Sequence, residues 1–515
     1  MKKILVAALA TAVFLVGCAV NPVTGKRELS LVSENQELAI GKQNYAPLRQ
    51  AQGGDYVADK ALVDYVSEVG QKLAAVSDRK LPYEFKVLNN STPNAWALPG
   101  GKIVINRGLL TELDNEAQLA AVLGHEITHA AAKHTAKAMS RGMLLQGAVF
   151  ATVVGTQGKD YAQLAQLGAG LGAQLVTQKY GRDAERESDY YGMKYMSKAG
   201  YDPAEAVELQ RIFVRLSEGR NQDWLSGLFA SHPPSRERVK NNEKALEKFP
   251  AGGIKGEKRF RKMIARLKNT KPAYEAYEKG RKALAEGNID RARGLARQAI
   301  DIEPAEGLFY ALLGDAEVDS GRYTVAKRYY DTAVDLNPGF FRNRLKRGLV
   351  NAKLNADAAA KADLVASVKL LPTSNAYYEL GNIAKRQGDL RAAKAYFAKG
   401  ASDKTDIGLK SYSALIEMDI GQNPGKYIEV RTGRDKSGRY KAELHNTTPR
   451  DISGLVIGIN FVDSTGRPRQ IQKPIIGTLK AGKREVVDLG LNATTQGIEG
   501  VRASIVAAKL AAASR

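Results

Sequence analysis

The spacing of apolar and polar positions divides the chain into a mixed N-terminal region, a helical middle and a C-terminal region of strands. In residues 117–139, AQLAAVLGHEITHAAAKHTAKAM, no proline interrupts a run rich in helix formers, which predicts one helix. Residues 180–203 predict a second helix, rich in acidic side chains. Between them, residues 142–178 carry few charges. Their apolar runs are too short to span a bilayer and predict core packing, with a lid that leans on a membrane as the alternative.

A period of 34 residues marks the helical middle of the chain. Proline and glycine recur at this interval, at Pro304, Pro338 and Pro372 and at Gly280, Gly314 and Gly348. Each unit has the pattern of two short amphipathic helices, and the proline ends the second one. Period and residue placement resemble the tetratricopeptide repeat. We expect about four units, in residues 273–405, and a concave surface that binds peptides.

Beyond Gly421 the apolar positions alternate with period two. The segments YIEVRTGRDKSGRYKAELHNTT, LVIGINFVDSTGRPR and REVVDLGL are separated by turn residues, which is typical of antiparallel strands. Residues 421–510 therefore predict a small antiparallel β-sandwich. His445 stands alone there and is expected to be structural or solvated.

The first residues have the form of a targeting segment. Lys2 and Lys3 precede an uncharged stretch, and the segment ends in Leu-Val-Gly-Cys at Cys18, which resembles the lipobox of bacterial lipoproteins. We expect residues 1–17 to be a signal peptide and Cys18, the one cysteine of the chain, to carry a lipid anchor. By the same resemblance, Ala19 favours an outer-membrane lipoprotein that faces the periplasm.

The chain is strongly basic, with a formal net charge of +22. In a cytosolic protein this charge would favour nucleic acid, but behind an export signal it favours anionic lipid, lipopolysaccharide or acidic unfolded polypeptide. We expect no nucleic-acid partner. Much of the excess lies in residues 240–271, and residues 251–272 are predicted to form a solvated basic linker.

The sequence HEITH supplies the candidate chemistry. On a helix, His125 and His129 lie on one face and can bind one Zn²⁺, while Glu126 can reach a water and act as general base. His134 lies about 140° further round a straight helix, so we expect it to support a ligand or cap the helix. In residues 180–203, Glu185 and Asp189 share a face, and Asp189 can hold a ligating imidazole. By spacing alone, Asp183 and Glu187 are nearly as good candidates for the third ligand.

Five ordered segments carry a resemblance to a known family: NPVTGKRELSLVSENQELAIG, NAWALPGGKIVINRGLL, HEITH, ERESD and SHPPSRERV. They resemble the CAAX-prenyl-protease/HtpX-type gluzincins over residues 21–239. The resemblance implies Glu185 as third ligand, although Ser188 replaces the alanine usual before Asp189. It implies that His232 and Arg238 approach the oxyanion of the scissile carbonyl. Alternatively, His232 occupies the open position on zinc and keeps the enzyme latent, or is a loop residue without a role.

The second of these segments predicts a hairpin with its turn at residues 99–101. In the family that it resembles, such a hairpin lies beside the zinc and offers a strand edge to the substrate. The resemblance therefore implies that Asn94, Ala95, Trp96 and Ala97 pair with an unfolded polypeptide. A core hairpin without contact to substrate is the alternative.

Together these patterns predict a multidomain protein. We expect an α+β, mainly helical, gluzincin metallopeptidase domain (18–250), an α-helical tetratricopeptide-repeat solenoid and a C-terminal antiparallel β-sandwich. The expected function is a lipid-anchored zinc endopeptidase that cleaves unfolded or stalled outer-membrane and envelope proteins. Its repeats would recruit these clients or the outer-membrane assembly machinery. The alternative is a periplasmic chaperone or adaptor with a latent site. A cell-wall amidase fits poorly, because no segment resembles a glycan-binding module.

Overall fold

The computed structural model describes residues 18–145, 180–219 and 228–511, and the chain divides into two compact units, Met1–Asn343 and Arg344–Arg515. The predicted signal peptide and nearly all of the apolar segment 142–178 lie outside the described residues. Among the described helices, none has the length and apolar character needed to cross a membrane.

The first unit begins with a hairpin, two helices and a small mixed sheet. Its elements are β1 (Cys18–Val20), β2 (Arg27–Leu29), α1 (Glu34–Ala51), α2 (Lys60–Ala74), β3 (Glu84–Leu88), β4 (Ala95–Leu98) and β5 (Lys102–Asn106). In the sheet, β5 lies between β3, which is parallel to it, and β4, which is antiparallel. The predicted hairpin is confirmed. Gly100 and Gly101 form its turn with φ of 78° and 79°, a conformation that glycine adopts without a steric penalty.

Among the described residues, seven helices follow the sheet: α3 (Arg107–Leu110), α4 (Glu116–Ala131), α5 (His134–Leu145), α6 (Arg182–Lys198), α7 (Ala204–Gly219), α8 (Leu228–Ser231) and α9 (Arg236–Leu246). The expectation of one helix over 117–139 is wrong. The helix ends at Ala131, and Lys133 adopts a left-handed conformation with φ of 59° before α5 begins. Residues of α4 are almost all buried, because the helix packs against the sheet on one side and α6 on another.

Six more helices complete the first unit: α10 (Glu257–Met263), α11 (Ala265–Asn269), α12 (Lys271–Ala285), α13 (Ile289–Ile302), α14 (Gly307–Asp319) and α15 (Tyr323–Leu336). The last four are two helical pairs with the predicted repeat period. The segment 251–272 differs from a solvated linker. Its basic side chains are mostly exposed, but Phe260, Ile264 and Leu267 are buried in the core that also contains α4 and Phe309.

Helical pairs continue through α16 (Phe341–Lys353), α17 (Asp357–Leu370), α18 (Ser374–Arg386), α19 (Leu390–Gly400) and α20 (Asp406–Asp419). A 3₁₀ turn (Pro424–Lys426) leads to β6 (Ile428–Arg434), β7 (Arg439–Asn446), β8 (Ile452–Val462), β9 (Pro468–Leu479), β10 (Arg484–Asn492), α21 (Ala493–Gln496) and β11 (Glu499–Leu510). The strands form two antiparallel sheets, β10-β7-β6 and β11-β8-β9.

One apolar core joins the two C-terminal sheets. Leu444 and Leu489 from the first sheet and Ile457 and Ile505 from the second belong to the same buried cluster. Two sheets that bury their facing side chains in this way form a sandwich. The expected fold class, an α+β peptidase domain with helical repeats and a C-terminal β-sandwich, is confirmed.

Candidate metal centre

Three histidines and one carboxylate from three parts of the chain meet in the first unit. His125 and His129 come from α4, Glu185 from α6, and His232 follows α8. Each offers one ligand atom, and these atoms lie within 4.8 Å of one another. His125 Nε2 is 3.0 Å from His129 Nε2 and 3.3 Å from His232 Nδ1, which is 2.9 Å from Glu185 Oε1. The remaining described histidines do not belong to this group.

Two glycines allow α4 and α6 to approach closely enough to form the cluster. A Cβ atom on Gly124 would lie 3.1 Å from the carbonyl oxygen of Gly192, and a Cβ on Gly192 would lie 3.1 Å from the amide nitrogen of His125. Small residues at a helix crossing let the two backbones come together. Glu185, at the N-terminal end of α6, thereby reaches the histidines of α4.

The four side chains fit a zinc ion. Ligand atoms at about 2.0–2.1 Å from one tetrahedral zinc are about 3.3 Å apart. Three separations in this site are close to that value, 3.0 Å between His125 Nε2 and His129 Nε2, 3.3 Å between His125 Nε2 and His232 Nδ1, and 2.9 Å between His232 Nδ1 and Glu185 Oε1, and all four ligand atoms lie within 4.8 Å of one another. Imidazole nitrogens with one carboxylate oxygen are a donor set that zinc accepts.

Burial and neighbouring charges put two of these groups in the form that a metal ligand requires. Burial lowers the pKa of His129 well below its usual value and keeps its imidazole neutral. Burial alone would raise the pKa of Glu185. The charge of His232, together with its hydrogen bond to Glu185, outweighs burial and holds this pKa well below its usual value.

Glu126 points into the same space. It is buried, and its Oε1 atom lies 3.6 Å from His232 Nε2. Its Oε2 atom has no hydrogen-bond partner among the described residues. Burial raises the pKa of this carboxyl. A buried carboxylate oxygen without a partner is costly unless a water, ion or substrate satisfies it, which is the position expected of a general base.

Asp189 and Arg238 support the cluster from one side. Asp189 Oδ1 lies 3.0 Å from His125 Nδ1, as predicted for a residue that holds a ligating imidazole. Arg238 donates to both oxygens of Asp189, and its Nη1 atom lies 2.9 Å from Glu185 Oε2 and 3.3 Å from the carbonyl oxygen of Pro233. Its guanidinium therefore contacts carboxylates of the cluster. The oxyanion contact implied for Arg238 stays a prediction.

His134 and Glu187 lie on the other side. Because the chain turns at Lys133, His134 Nδ1 comes within 2.9 Å of His129 Nδ1 instead of pointing away along a straight helix. Glu187, an alternative third ligand by spacing, lies 3.4 Å from His134 Nε2 and accepts a hydrogen bond from Asn21. Asp183, the other alternative, has a fully exposed side chain. Of the three acids, Glu185 is the one in the cluster.

Sequence reasoning missed Tyr180. Its ring packs on the imidazole of His129, with 3.9 Å between ring centroids, and its hydroxyl lies 2.9 Å from Thr135 Oγ1. Burial raises the pKa of Tyr180, so the phenol is neutral. The signal available in the sequence was weak, because one tyrosine just before an acidic helix has no motif of its own.

A small pocket opens next to His125 and Glu126. Apolar side chains from α4, α6 and α7 line its far wall, among them Val122, Met193 and Phe213. The predicted substrate strand, Asn94 to Ala97, is buried at the edge of its sheet. Only β5 pairs with it among the described strands.

The arrangement defines the class of the domain: a helix-borne HExxH zinc site completed by a glutamate on a second helix. A family model described as peptidase family M48 matches residues 61–245, and tetratricopeptide-repeat models match residues 277–339, 311–375 and 374–402. The chain thus carries a peptidase family M48 domain followed by tetratricopeptide repeats. The predicted metallopeptidase domain, zinc cofactor and repeats are confirmed.

Three relatives match parts of this chain. The beta-barrel assembly-enhancing protease of Escherichia coli (strain K12) is 27% identical over 288 residues, 54% of this chain and 56% of that protein. Its namesake in Yersinia pestis is 31% identical over 188 residues, 35% of this chain and 38% of that protein. The mitochondrial metalloendopeptidase OMA1 of Schizosaccharomyces pombe is 30% identical over 228 residues, 44% of this chain and 65% of that protein.

These matches leave a large part of each protein uncovered, since the chain spans between 38% and 65% of the three relatives. Among solved structures, MamA from Desulfovibrio magneticus RS-1 matches with a TM-score of 0.26 and 21% identity, over 29% of this chain and 85% of that one.

Proposed function

We propose that this protein is a zinc metalloendopeptidase that cleaves unfolded or misassembled envelope proteins. The observation that carries the proposal is the convergence of His125, His129, Glu185 and His232, with ligand atoms within 4.8 Å of one another, beside the buried carboxylate of Glu126. The M48 match and the relatives named as metalloendopeptidases support the reaction class. Relatives named beta-barrel assembly-enhancing protease support a role in the bacterial envelope.

Each residue has a definite task in this proposal. His125, His129 and Glu185 hold the metal, and Asp189 orients the ring of His125 through Nδ1. A bound Zn²⁺ supplies a water of lowered pKa and polarises the scissile carbonyl. Glu126 takes the proton of the attacking water and returns it to the leaving amine.

His232 has two candidate roles. Its Nδ1 atom lies among the other ligand atoms, 2.9 Å from Glu185 Oε1, and its Nε2 atom faces Glu126 at 3.6 Å. This position suits a fourth ligand that fills the open site and keeps the peptidase latent. The other role, a hydrogen bond to the oxyanion, requires the ring to withdraw from Glu185. Zinc content and peptidase activity of His232→Ala distinguish the two, because loss of a blocking ligand raises activity and loss of an oxyanion donor lowers it.

An unfolded chain is the substrate class that fits the surroundings of the site. We propose that Asn94 to Ala97 pair with the substrate backbone, which is tolerant of sequence. The pocket beside the proposed metal ligands, with Val122, Met193 and Phe213 in its wall, offers an apolar surface next to the scissile bond.

Location and partners are the finer part of the proposal. We propose that the chain is exported, is anchored in the outer membrane by lipid on Cys18, and faces the periplasm. The repeats would bind client proteins or the outer-membrane assembly machinery. The domain boundaries also remain proposals: they lie at residues 250, 272 and 405, and the sandwich covers residues 421–510.

A second candidate function is an assembly adaptor whose peptidase is usually silent. The position of His232 among the metal ligands favours it, because a filled coordination sphere has no place for the attacking water. In cells, replacement of the gene by one that encodes Glu126→Gln separates the two functions. Loss of function supports proteolysis, whereas full function supports the adaptor.

Digestion of reduced casein by residues 18–515 without lipid tests the proposal. Wild type and Glu126→Gln should each contain about one zinc, and the wild type alone should cleave. Glu247→Gln, a change of the same chemistry at an exposed position, is the matched control and should cleave like the wild type. A protein that binds no zinc would contradict the ligand assignment. Zinc binding without cleavage in both would favour the latent site.

A further inference from the structure

One asparagine organises the turn between β1 and β2. Asn21 is 2% exposed, and its Oδ1 atom accepts hydrogen bonds from the amides of Val23, at 2.9 Å, and Thr24, at 3.3 Å. The backbone amide of Asn21 donates to the carbonyl oxygen of Lys26 at 2.8 Å. These bonds use only its Oδ1 and its backbone. The Nδ2 group takes no part in the turn and donates to Glu187 Oε1 at 2.9 Å.

Glu187 connects this turn, through His134, to the proposed metal ligand His129. Its Oε1 atom is 3.4 Å from His134 Nε2, and His134 Nδ1 is 2.9 Å from His129 Nδ1. His134 is 4% exposed and His129 is 1% exposed, so water does not compete for the contact between the two rings. The four side chains form one line from the N-terminal turn to the metal centre.

The geometry of the groups favours one arrangement of the hydrogens in this line. The Nδ2 group of Asn21 can only donate, and it donates to Glu187 Oε1. The nitrogen of His134 that lies 3.4 Å from Glu187 is then the one expected to carry a proton, with His134 Nδ1 accepting from His129 Nδ1. His129 is left with a bare Nε2 atom, which faces His125 and Glu185 and is the form that binds a metal.

We propose that Asn21 and Glu187 are positioning residues for the metal ligand His129, acting through His134, and that the N-terminal turn is thereby part of the metal centre. The inference rests on the proposed zinc peptidase, because it concerns how that metal is held. It assigns a role to a turn that precedes the segment matched by the peptidase family model, residues 61–245.

Two variants test the proposal on the chain from Cys18 to Arg515. Asn21→Asp keeps the Oδ1 acceptor of the turn but puts a carboxylate oxygen opposite Glu187, and Glu187→Gln keeps the shape but removes the charge. Transfer of zinc to a chromophoric chelator should show affinity lowered about 10- to 100-fold in each. The double variant should be no weaker than the weaker-binding single, because both act through one line.

A second readout separates positioning from a general loss of stability. The chain has five histidines, so ring ¹⁵N spectra are simple to assign. In the wild type, His129 and His134 should each show one tautomer, and both variants should show mixtures at these two rings. Asn446→Asp is the control. This asparagine also accepts from a turn amide, that of Thr448 at 2.9 Å, and donates to the carbonyl oxygen of Leu479, but it lies in the β-sandwich. Its zinc affinity should equal that of the wild type.

The outcomes are distinct. Zinc affinity within about twofold of the wild type, with unchanged tautomers in both variants, would overturn this inference and leave the proposed peptidase standing. A wild type that binds no zinc would instead overturn the proposed function. Should Asn21→Asp fail to fold, Glu187→Gln alone decides, since its side chain has the same size and the turn keeps Asn21.

Discussion

Arg238 holds Asp189 by two parallel hydrogen bonds, from Nε to Oδ2 at 2.9 Å and from Nη2 to Oδ1 at 2.7 Å. The third nitrogen of the same guanidinium is 2.9 Å from Glu185 Oε2. Burial alone would lower the pKa of Arg238, but the charges of Asp189 and Glu185 outweigh burial and raise it. One cation thus contacts both Asp189, which lies against His125, and Glu185, the proposed metal ligand.

Arg238→Lys should therefore weaken both folding and metal retention. Lysine offers one compact charge and cannot reproduce a planar contact with two carboxylates. Breaking a buried pair costs about 3–5 kcal/mol, and the retained charge should reduce this to about 1–3 kcal/mol. Urea unfolding of the metal-free protein and its zinc content measure the two effects. Arg236→Lys, at an exposed position, should change stability by less than about 0.5 kcal/mol. Equal effects at both positions would contradict this assignment.

Substitution by alanine should lower the free energy of unfolding more at Gly253 than at the neighbouring Gly252. Gly253 has φ of 140°, and an added Cβ would lie 2.6 Å from the amide nitrogen of Asp202. Gly252 also has positive φ, 82°, but its Cβ would meet nothing within 4 Å. We expect Gly253→Ala to cost about 1–3 kcal/mol more than Gly252→Ala, because the backbone at Asp202 must move. Denaturant unfolding of the two variants decides, and similar midpoints would disprove the close packing of this segment.

Removal of zinc should lower the melting temperature of the protein. A ligand that binds only the folded state, at a thousand times its dissociation constant, stabilises it by about 4 kcal/mol. We expect EDTA to shift the thermal transition of the wild type but not that of the double variant His125→Ala/His129→Ala. His445→Ala, whose imidazole pairs with Glu429 in the β-sandwich, should shift like the wild type. An EDTA shift that survives in the double variant would place the metal elsewhere.

The ionisation of Glu205 should make the free energy of unfolding depend on pH. Burial raises the pKa of Glu205, but hydrogen bonds from Lys255, Asn115 and Gln118 outweigh burial and lower it. A carboxyl whose pKa is lower in the folded state stabilises the fold above its unfolded pKa, about 4.3, and loses this contribution as the pH falls through the folded value. Glu205→Gln should therefore be less stable than the wild type at pH 7, and the difference should shrink below about pH 4.

Urea unfolding across this pH range checks the sign. Glu208→Gln changes an exposed glutamate on the same helix and should follow the wild type at every pH. A difference between Glu205→Gln and the wild type that stays constant down to acid pH would show that the charge of Glu205 is not what stabilises this contact.

The sequence alone could indicate two of the proposed ligands, because a spacing of four residues places His125 and His129 on one face of any helix. The third proposed ligand could not be chosen by spacing. Asp183, Glu185 and Glu187 all lie within one turn or so of α6, and the selection depends on how α6 crosses α4 at Gly124 and Gly192. Because that crossing is a feature of the tertiary structure, only the family resemblance could indicate Glu185 as the third ligand from the sequence.

His134 could not be placed from sequence for a local reason. A lysine with positive φ is uncommon, and the segment HAAAKH contains no glycine, asparagine or proline that would predict the end of the helix before Lys133. The packing of residues 251–272, by contrast, could have been predicted. Phe260, Ile264 and Leu267 recur with the spacing of one helix face, a signal that the surrounding basic charges concealed.

The carbonyl oxygen of Lys255 accepts a hydrogen bond from the amide of Ala117, in the first turn of the helix that carries His125. Further along, Phe260 and Phe309 close the same core. During synthesis, the amide of Ala117 at the N-terminus of this helix therefore has no access to its partner, the carbonyl of Lys255, until more than a hundred further residues have been added. All residues of the candidate metal centre lie within the stretch 61–245, but the carbonyl that caps the N-terminus of α4 belongs to Lys255, beyond that stretch. A chain cut short after residue 245 should therefore contain the proposed metal ligands but lack a contact that holds the helix carrying two of them.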